Sequence, residues 1–359
     1  MLLWMEQEPL WKFPNANREK MLNGSVPFAF FSVRYDRPAS VAGSAGHKVH
    51  ALYVEKCLSL DRVGQMDVTR VFEQALPFKV FWHFRERRKG KVGPLAVVES
   101  RIFPEDDSST SCLPVLSAFA TLQLLPQQEL PGSFGRLWCQ RCIVVGNGYS
   151  IHGQHFGKMI DSHHVIIRLN DAPVKEHKKD VGERTSIRLF FPESALPNPL
   201  ENNDNDTLMV FVPFKPLDFL WLREVLLKTR NKTKVGFWRQ PPREWNGNVS
   251  QLRILNPYLT YEATYKLLQL NASSGRYATT GIIALNLALH MCQEVNIAGF
   301  GYPGNHDNTT PIHYYNTGRS RKKELFQHNI TAERNWLLKM IESGVIADIA
   351  SPSFQAQNS

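Results

Sequence analysis

The decapeptide CQRCIVVGNG, residues 139–148, holds two overlapping chances for chemistry. Cys139 and Cys142 form a C-x-x-C pair, the spacing of a redox couple or of half a zinc site, and the apolar run that follows closes in Gly146-Asn147-Gly148, the form of a strand end that meets a nucleotide. The chain has five cysteines, Cys57, Cys112, Cys139, Cys142 and Cys292, and no second C-x-x-C, which argues against a four-thiolate zinc site. Gly146 and Gly148 let backbone approach a phosphate or a ribose without a Cβ in the way. The dinucleotide fingerprint needs a third glycine three residues after the second, and that position is Ile151, so an NAD-dependent oxidoreductase is disfavoured.

Other segments offer compatible chemistry. Thr279-Thr280-Gly281 places two hydroxyls and a glycine at the start of an apolar helix, where unpaired N–H groups and the helix dipole favour an anion. Gly299 and Gly301 in AGFG end another strand, expected at the same edge of the sheet. Three glycine-bearing ends converging on one crevice point to a nucleotide-phosphate site. Of the late histidines His306, His313 and His328, the last two lie in or beside turns, where an imidazole is available for acid–base chemistry; His290 lies on an apolar helix face. The histidine spacings do not suit a metal. Asp204 and Asp206 form a D-x-D that could hold a divalent ion on a nucleotide sugar, but in ENNDNDT a solvated loop is the better reading.

These residues need a scaffold that brings strand ends and helix starts to one place. CIVVGNG, HHVIIRLND, TSIRLFF, TLMVFVPF, QLRILNP and EVNIAGFG read as strands. LDFLWLREVLLKT, TYEATYKLLQL, TTGIIALNLALHMC and ITAERNWLLKMIESGV read as helices, with Thr279 or Thr280 as an N-cap and Gly344 at the last C-terminus. Their alternation predicts an α/β fold, a mostly parallel sheet flanked by helices that binds its ligand beyond the carboxyl ends of the strands. Residues 113–359 are expected to form this single domain, and residues 1–112, without repeats or sustained periodicity, a separate N-terminal region.

At 359 residues, 43% hydrophobic and 21% charged, the composition suits a globular enzyme. Forty-two Lys and Arg against 33 Asp and Glu give +9, which fits a phosphorylated substrate or another anionic partner. The charge is dispersed, and its one dense run, RERRKGK at 85–91, lacks interleaved aromatics, so nucleic acid is not expected. Asn-x-Ser/Thr sequons at Asn23, Asn205, Asn231, Asn248, Asn271, Asn308 and Asn329 point to the secretory pathway. There is no apolar run of about 18 residues for a membrane helix, and MLLWMEQEPL lacks the features of a signal peptide.

Together the segments resemble the four sialylmotifs of the animal sialyltransferases. CIVVGNG through DVGERTSIRLFFPES resembles the large motif, ILNP and TTGIIALNLALHMCQEVNIAGFGYP the small motif, HYY at 313–315 the third, and HNITAE the very small one. GFW at 236–238, RILNPY, HYY and TTG resemble the β-galactoside α2,3-sialyltransferases, while TLQLLPQQELP and Ile151-His152-Gly153 are similar to the lactosylceramide enzyme.

The resemblance implies a Rossmann-like, GT-A-related domain that takes CMP-sialic acid and transfers the sugar, with inversion and without a metal or other cofactor, to the 3-hydroxyl of a terminal galactose. Galβ1,4GlcNAc ends on glycoproteins or glycolipids are the favoured acceptor, with lactosylceramide, or weak activity in a CMP-sugar binder, as alternatives. It places Asn147, Gly148, Asn170, Thr279, Thr280 and Gly281 on the nucleotide, with Gly299 and Gly301 beside them. His313 would stabilise the departing phosphate, His328 would be the general base, and Tyr277 would contact the galactose. Cys142 would pair with Cys292, and Cys139 with Cys57 or Cys112. A Golgi-lumenal type II membrane protein is implied, although no anchor is read in the sequence. One departure is Phe191-Pro192-Glu193 where the family usually has Tyr-Pro-Glu, which removes a hydroxyl that could reach the phosphate.

Overall fold

Short β-rich apolar runs separated by polar turns build one sheet. The computed structural model describes residues 141–230, 235–301, 309–319 and 322–350, with short pieces at 30–31, 83–84, 87–88, 91–92, 96–97, 121–122 and 124–125. Cys57, Cys112, Cys139, His306, the sequons at Asn23, Asn231 and Asn308, and the boundary at 112/113 lie outside the described residues.

The strands are β1 (Arg141–Val145), β2 (Val165–Leu169), β3 (Ile187–Phe190), β4 (Leu208–Phe211), β5 (Leu252–Leu255), β6 (Glu294–Ala298) and β7 (Ala347–Asp348). They are all parallel, in the order β5-β4-β3-β2-β1-β6-β7, and Phe30–Phe31 adds an antiparallel edge outside β5. The first six match the strands expected from sequence; β7 was not anticipated.

Strand alternation sends side chains to both faces, and each face is covered. Cys142 and Val144 of β1 join the core beneath the helix α5 (Thr280–Met291), while Ile143 and Val145 pack on the other face with Ile151, Ile160 and Val181, beside α1 (Gly157–Asp161) and α2 (Lys178–Val181). Farther along that second face, Phe190, Phe211 and Ile254 meet Phe219, Trp221 and Leu222 of α3 (Pro216–Leu226). Helix α5 is apolar nearly all round because it is sandwiched between the sheet and the elements outside it. A disulfide joins Cys142 of β1 to Cys292, the residue that ends α5, as the resemblance implied.

The expected helix TYEATYKLLQL is two pieces: α4 (Pro257–Tyr261) and a wider π-helical segment, Glu262–Leu267. Thr264 Oγ1 donates to the Thr260 carbonyl at 2.8 Å, a back-bond that competes with the ordinary i−4 backbone bond. Two further helices close the chain, α6 (Lys322–Gln327) and α7 (Ile330–Glu342), the second ending at Gly344 with φ 69°. No helix among the described residues is long and apolar enough to cross a membrane.

The strand order reverses at β1, since the chain builds outward through β2 to β5 and then returns to place β6 on the opposite side. Such a reversal opens a crevice beyond the carboxyl ends of the two central strands. Gly146-Asn147-Gly148 follows β1, and Gly299-Phe300-Gly301 follows β6.

Candidate active site

The two glycine turns touch. Gly146 N–H donates to the Ala298 carbonyl at 2.8 Å and Gly148 N–H to the Gly299 carbonyl at 2.8 Å. A Cβ on Gly146 would lie 2.4 Å from Gly299 O, and one on Gly148 2.7 Å from the same atom, so glycine is required by close approach of two backbones. Gly299 (φ 67°) and Gly301 (φ 93°) occupy the left-handed region that glycine tolerates best. Gly146→Ala is therefore expected to force the ends of β1 and β6 apart at a cost of about 1–3 kcal/mol. Thermal unfolding should show this as a midpoint lowered by roughly 2–12 °C at unchanged far-UV circular dichroism.

Helix α5 points its N-terminus at the same place, and Gly281 stands 3.2 Å, measured from a built Cβ, from the Phe300 ring. Thr279 is the N-cap, its hydroxyl accepting from Ile282 N–H at 3.4 Å. That residue is also spent on Glu333 of α7: its N–H donates to Oε1 at 2.8 Å and its hydroxyl to Oε2 at 2.7 Å. What the helix presents to an anion is thus the first-turn N–H groups of Thr280 and Gly281, and Thr279 acts by fixing where they point. Glu333 is buried, and burial pushes its carboxyl up to about 7 against the pull of the two Thr279 bonds.

His313 docks onto this floor. It forms an isolated antiparallel bridge with Gly148, Tyr149 N–H donates to Ile312 O at 3.0 Å, and Tyr314 N–H to Asn147 O at 3.1 Å. The amide nitrogen of Asn316 lies 3.4 Å from His313 Nδ1. An amide N–H donating to Nδ1 leaves the ring proton of a neutral His313 on Nε2, as a donor. The ring stacks on Tyr315, centroids 5.2 Å apart, and the Tyr315 hydroxyl bonds Asn147.

Asn170 follows β2 at φ 57°, a left-handed position that asparagine accepts. Its carbonyl receives Nη1 of the buried Arg188 at 3.1 Å, and the same nitrogen donates to the Ala172 carbonyl at 3.1 Å. Arg188 Nη2 and Nε reach the Asn202 carbonyl and Asn203 Oδ1, so one guanidinium pins the whole 170–172 turn. Asn170 Oδ1 is buried without a partner, an orphan acceptor of the kind a ligand N–H or O–H satisfies.

His328 sits on the other wall. Its Nδ1 is 2.8 Å from the Tyr277 carbonyl, which can only accept, so the ring proton is on Nδ1 and Nε2 carries a lone pair. Burial pushes its pKa down to about 4, although the residue as a whole is half-buried, and the Tyr277 bond acts in the opposite direction. The Tyr277 ring meets it edge-on at 4.9 Å and touches Phe214 at 5.5 Å. Asn329 accepts the Ala332 N–H as N-cap of α7, which fixes His328 just before a helix start.

All eight residues expected on the nucleotide, with His313, thus gather around the β1–β6 crevice or its β2 neighbour, and His328 with Tyr277 forms the adjoining wall. Glu333 and Arg188 were not singled out from sequence; Glu333 ends the quoted HNITAE, and Arg188 was hidden in an apolar strand. Asp204 is a loop fastener, its carboxylate accepting Thr185 N–H at 2.7 Å, and His290 pairs with Glu262 at 2.7 Å.

Residues 108–345 match the model of glycosyltransferase family 29 (sialyltransferase). The chain belongs to this sialyltransferase family. It is 41% identical over 231 residues to human CMP-N-acetylneuraminate-beta-galactosamide-alpha-2,3-sialyltransferase 4, a match spanning 63% of this chain and 69% of that protein. It is 39% identical over 238 residues to mouse CMP-N-acetylneuraminate-beta-1,4-galactoside alpha-2,3-sialyltransferase, spanning 65% of this sialyltransferase and 63% of the mouse one. Its fold is also similar to that of a mammalian sialyltransferase crystallised with Gal-beta-1-3GalNAc-ortho-nitrophenol, at 26% identity and a TM-score of 0.52 over 66% of this chain and 77% of that one.

Proposed function

We propose that this sialyltransferase moves sialic acid from CMP-sialic acid to the 3-hydroxyl of a terminal β-galactose on glycoprotein or glycolipid glycans, with inversion and without a metal. The observation that carries the chemistry is the bond from His328 Nδ1 to the Tyr277 carbonyl, which leaves the Nε2 lone pair to accept a proton.

In this reading the acceptor hydroxyl lies between His328 Nε2 and the anomeric carbon of sialic acid. As the C–O bond to phosphate breaks, positive charge develops on the sugar and negative charge on the phosphate; the galactose oxygen attacks from the opposite face while its proton passes to Nε2. A single displacement assisted by one base inverts the anomeric centre. The leaving phosphate is stabilised by His313 Nε2–H and by the Thr280 and Gly281 N–H groups, with Gly148, Gly299 and Gly301 giving it room. Asn147 and the orphan Oδ1 of Asn170 hold the nucleoside, and Tyr277 borders the galactose. Phosphate is already a good leaving group, so local charge stabilisation suffices and no metal has a required role.

The exposed sequon asparagines Asn205, Asn248 and Asn271 support action in the Golgi lumen, with the membrane association its relatives' class implies. The test is transfer from CMP-sialic acid to lactosamine, lactosylceramide and Galβ1,3GalNAc, with linkage analysis of the products. A 3-linked product on lactosamine, formed at an undiminished rate in excess EDTA, is expected. A 6-linked product, or activity abolished by chelation and restored by a divalent ion, contradicts the assignment.

A further inference from the structure

One cation at the rim of the crevice has no part in the chemistry above. Arg239 lies in the segment between α3 and β5, and two strand-end loops hold it. Its Nε donates to the Glu193 carbonyl at 2.6 Å, Nη2 donates to that same carbonyl, and Nη2 also donates to Asp171 Oδ2 at 2.8 Å. Asp171 directly follows Asn170 beyond β2, and Glu193 lies just beyond β3, so the guanidinium spans two neighbouring carboxyl-end loops. Its third nitrogen, Nη1, makes none of these bonds, and the side chain is 47% exposed. The guanidinium also lies over the Trp238 ring, 5.4 Å from its centroid, which further limits its motion.

The position relates directly to the donor site. Asp171 and Arg239 both act electrostatically on the Tyr315 hydroxyl, the group that bonds Asn147 and whose ring stacks on His313. Two residues before the Glu193 anchor, Phe191 supplies no hydrogen-bond donor from its side chain; its ring packs edge-on against Phe214 at 5.4 Å. A guanidinium fixed on one side, open on the other and within charge range of the nucleotide residues suits an oxyanion.

We infer that Arg239 binds an anionic oxygen of the sugar-nucleotide donor and contributes to donor affinity, an inference that rests on the reading of the chain as a CMP-sialic acid transferase. The donor carries two such groups, the phosphate and the sialic acid carboxylate, and both offer a guanidinium the same chemistry. Asp171 orients the arginine without neutralising it fully, because the pair is exposed to solvent.

The test compares wild type, Arg239→Ala and Arg239→Gln by calorimetric titration with CMP and by steady-state kinetics with CMP-sialic acid, with thermal midpoints measured alongside. The glutamine keeps an amide for the Glu193 carbonyl while removing the charge, so it serves where the alanine fails to fold. At least a tenfold rise in the KM for CMP-sialic acid is expected in both variants, with a smaller change in kcat. A parallel rise in the Kd for CMP assigns the contact to phosphate, and an unchanged Kd for CMP assigns it to the carboxylate. Donor KM and CMP Kd both within twofold of wild type overturn the inference, including where the thermal midpoint falls, because that outcome is a purely structural role. A wild-type protein that fails to bind CMP instead sinks the reading on which the inference rests.

Discussion

His328→Ala is expected to lower kcat by about a hundredfold to ten-thousandfold, the range over which a positioned general base contributes, while the affinity for CMP stays within twofold. The pH profile makes the prediction specific. Activity requires the unprotonated Nε2, and burial has pushed the His328 pKa to about 4. The acid limb of kcat/KM should therefore fall near pH 4–5, well below that of an exposed histidine, and should vanish in the variant. The same shift has a sign for stability. Between the ordinary histidine value and about 4 the unfolded chain binds the proton that folded His328 refuses. Its contribution is complete above about pH 6.5 and is lost as the pH falls toward 4, and His328→Ala should flatten that part of the stability profile. A variant that keeps more than a tenth of kcat would remove His328 from the role of base.

The second large effect concerns the Cys142–Cys292 bridge, which closes a loop with a sequence separation of 150. On the chain-entropy model a loop of that length is worth about 5 kcal/mol to the folded state, through the freedom it removes from the unfolded one. Cys142→Ala/Cys292→Ala should shift the denaturant midpoint accordingly and lower the thermal midpoint by roughly 10–20 °C. A loss of under 1 kcal/mol would mean that packing of β1 on α5 suffices without the covalent tie. Both cysteines are fully buried in the main core, so the double variant should also lose some packing.

The scaffold was legible where one residue type marks one physical event. Apolar runs bounded by turns located six strands, and Thr279 or Thr280 announced the start of α5, whereas Gly146 and Gly148, read as access for a phosphate or ribose, are required instead where two backbones touch. Where the deciding contact joins polar residues far apart in sequence, no local pattern exists to read. The bond from Glu333 to Thr279 spans 54 residues, and that from Arg239 to Asp171 spans 68. Arg188 sits inside a strand that reads as apolar, and only the fold shows that it fastens the turn presenting Asn170. The π-helical segment was missed for a related reason, since TYEATYKLLQL keeps helical spacing while the Thr264 hydroxyl redirects the backbone bonding. The chemistry of His313 and His328 was assigned from motif resemblance; the hydrogen bonds that set their tautomers could come only from coordinates.

The reversal of strand order at β1 also bears on how the protein folds. β2 through β5 can each pair with the strand made just before it, but β6 must return to β1 after the whole intervening chain has been synthesised. Long-range parallel pairing of this kind closes slowly, because the entropy of the large loop is spent before its contacts form. The crevice, made of the ends of those two strands, is therefore a late product of folding. A nascent chain that stops before Glu294 should hold most of the sheet while lacking half of the nucleotide floor, yet it already carries both Cys142 and Cys292, so their oxidation ties the end of α5 to β1 and sets the chain to enter β6 beside it.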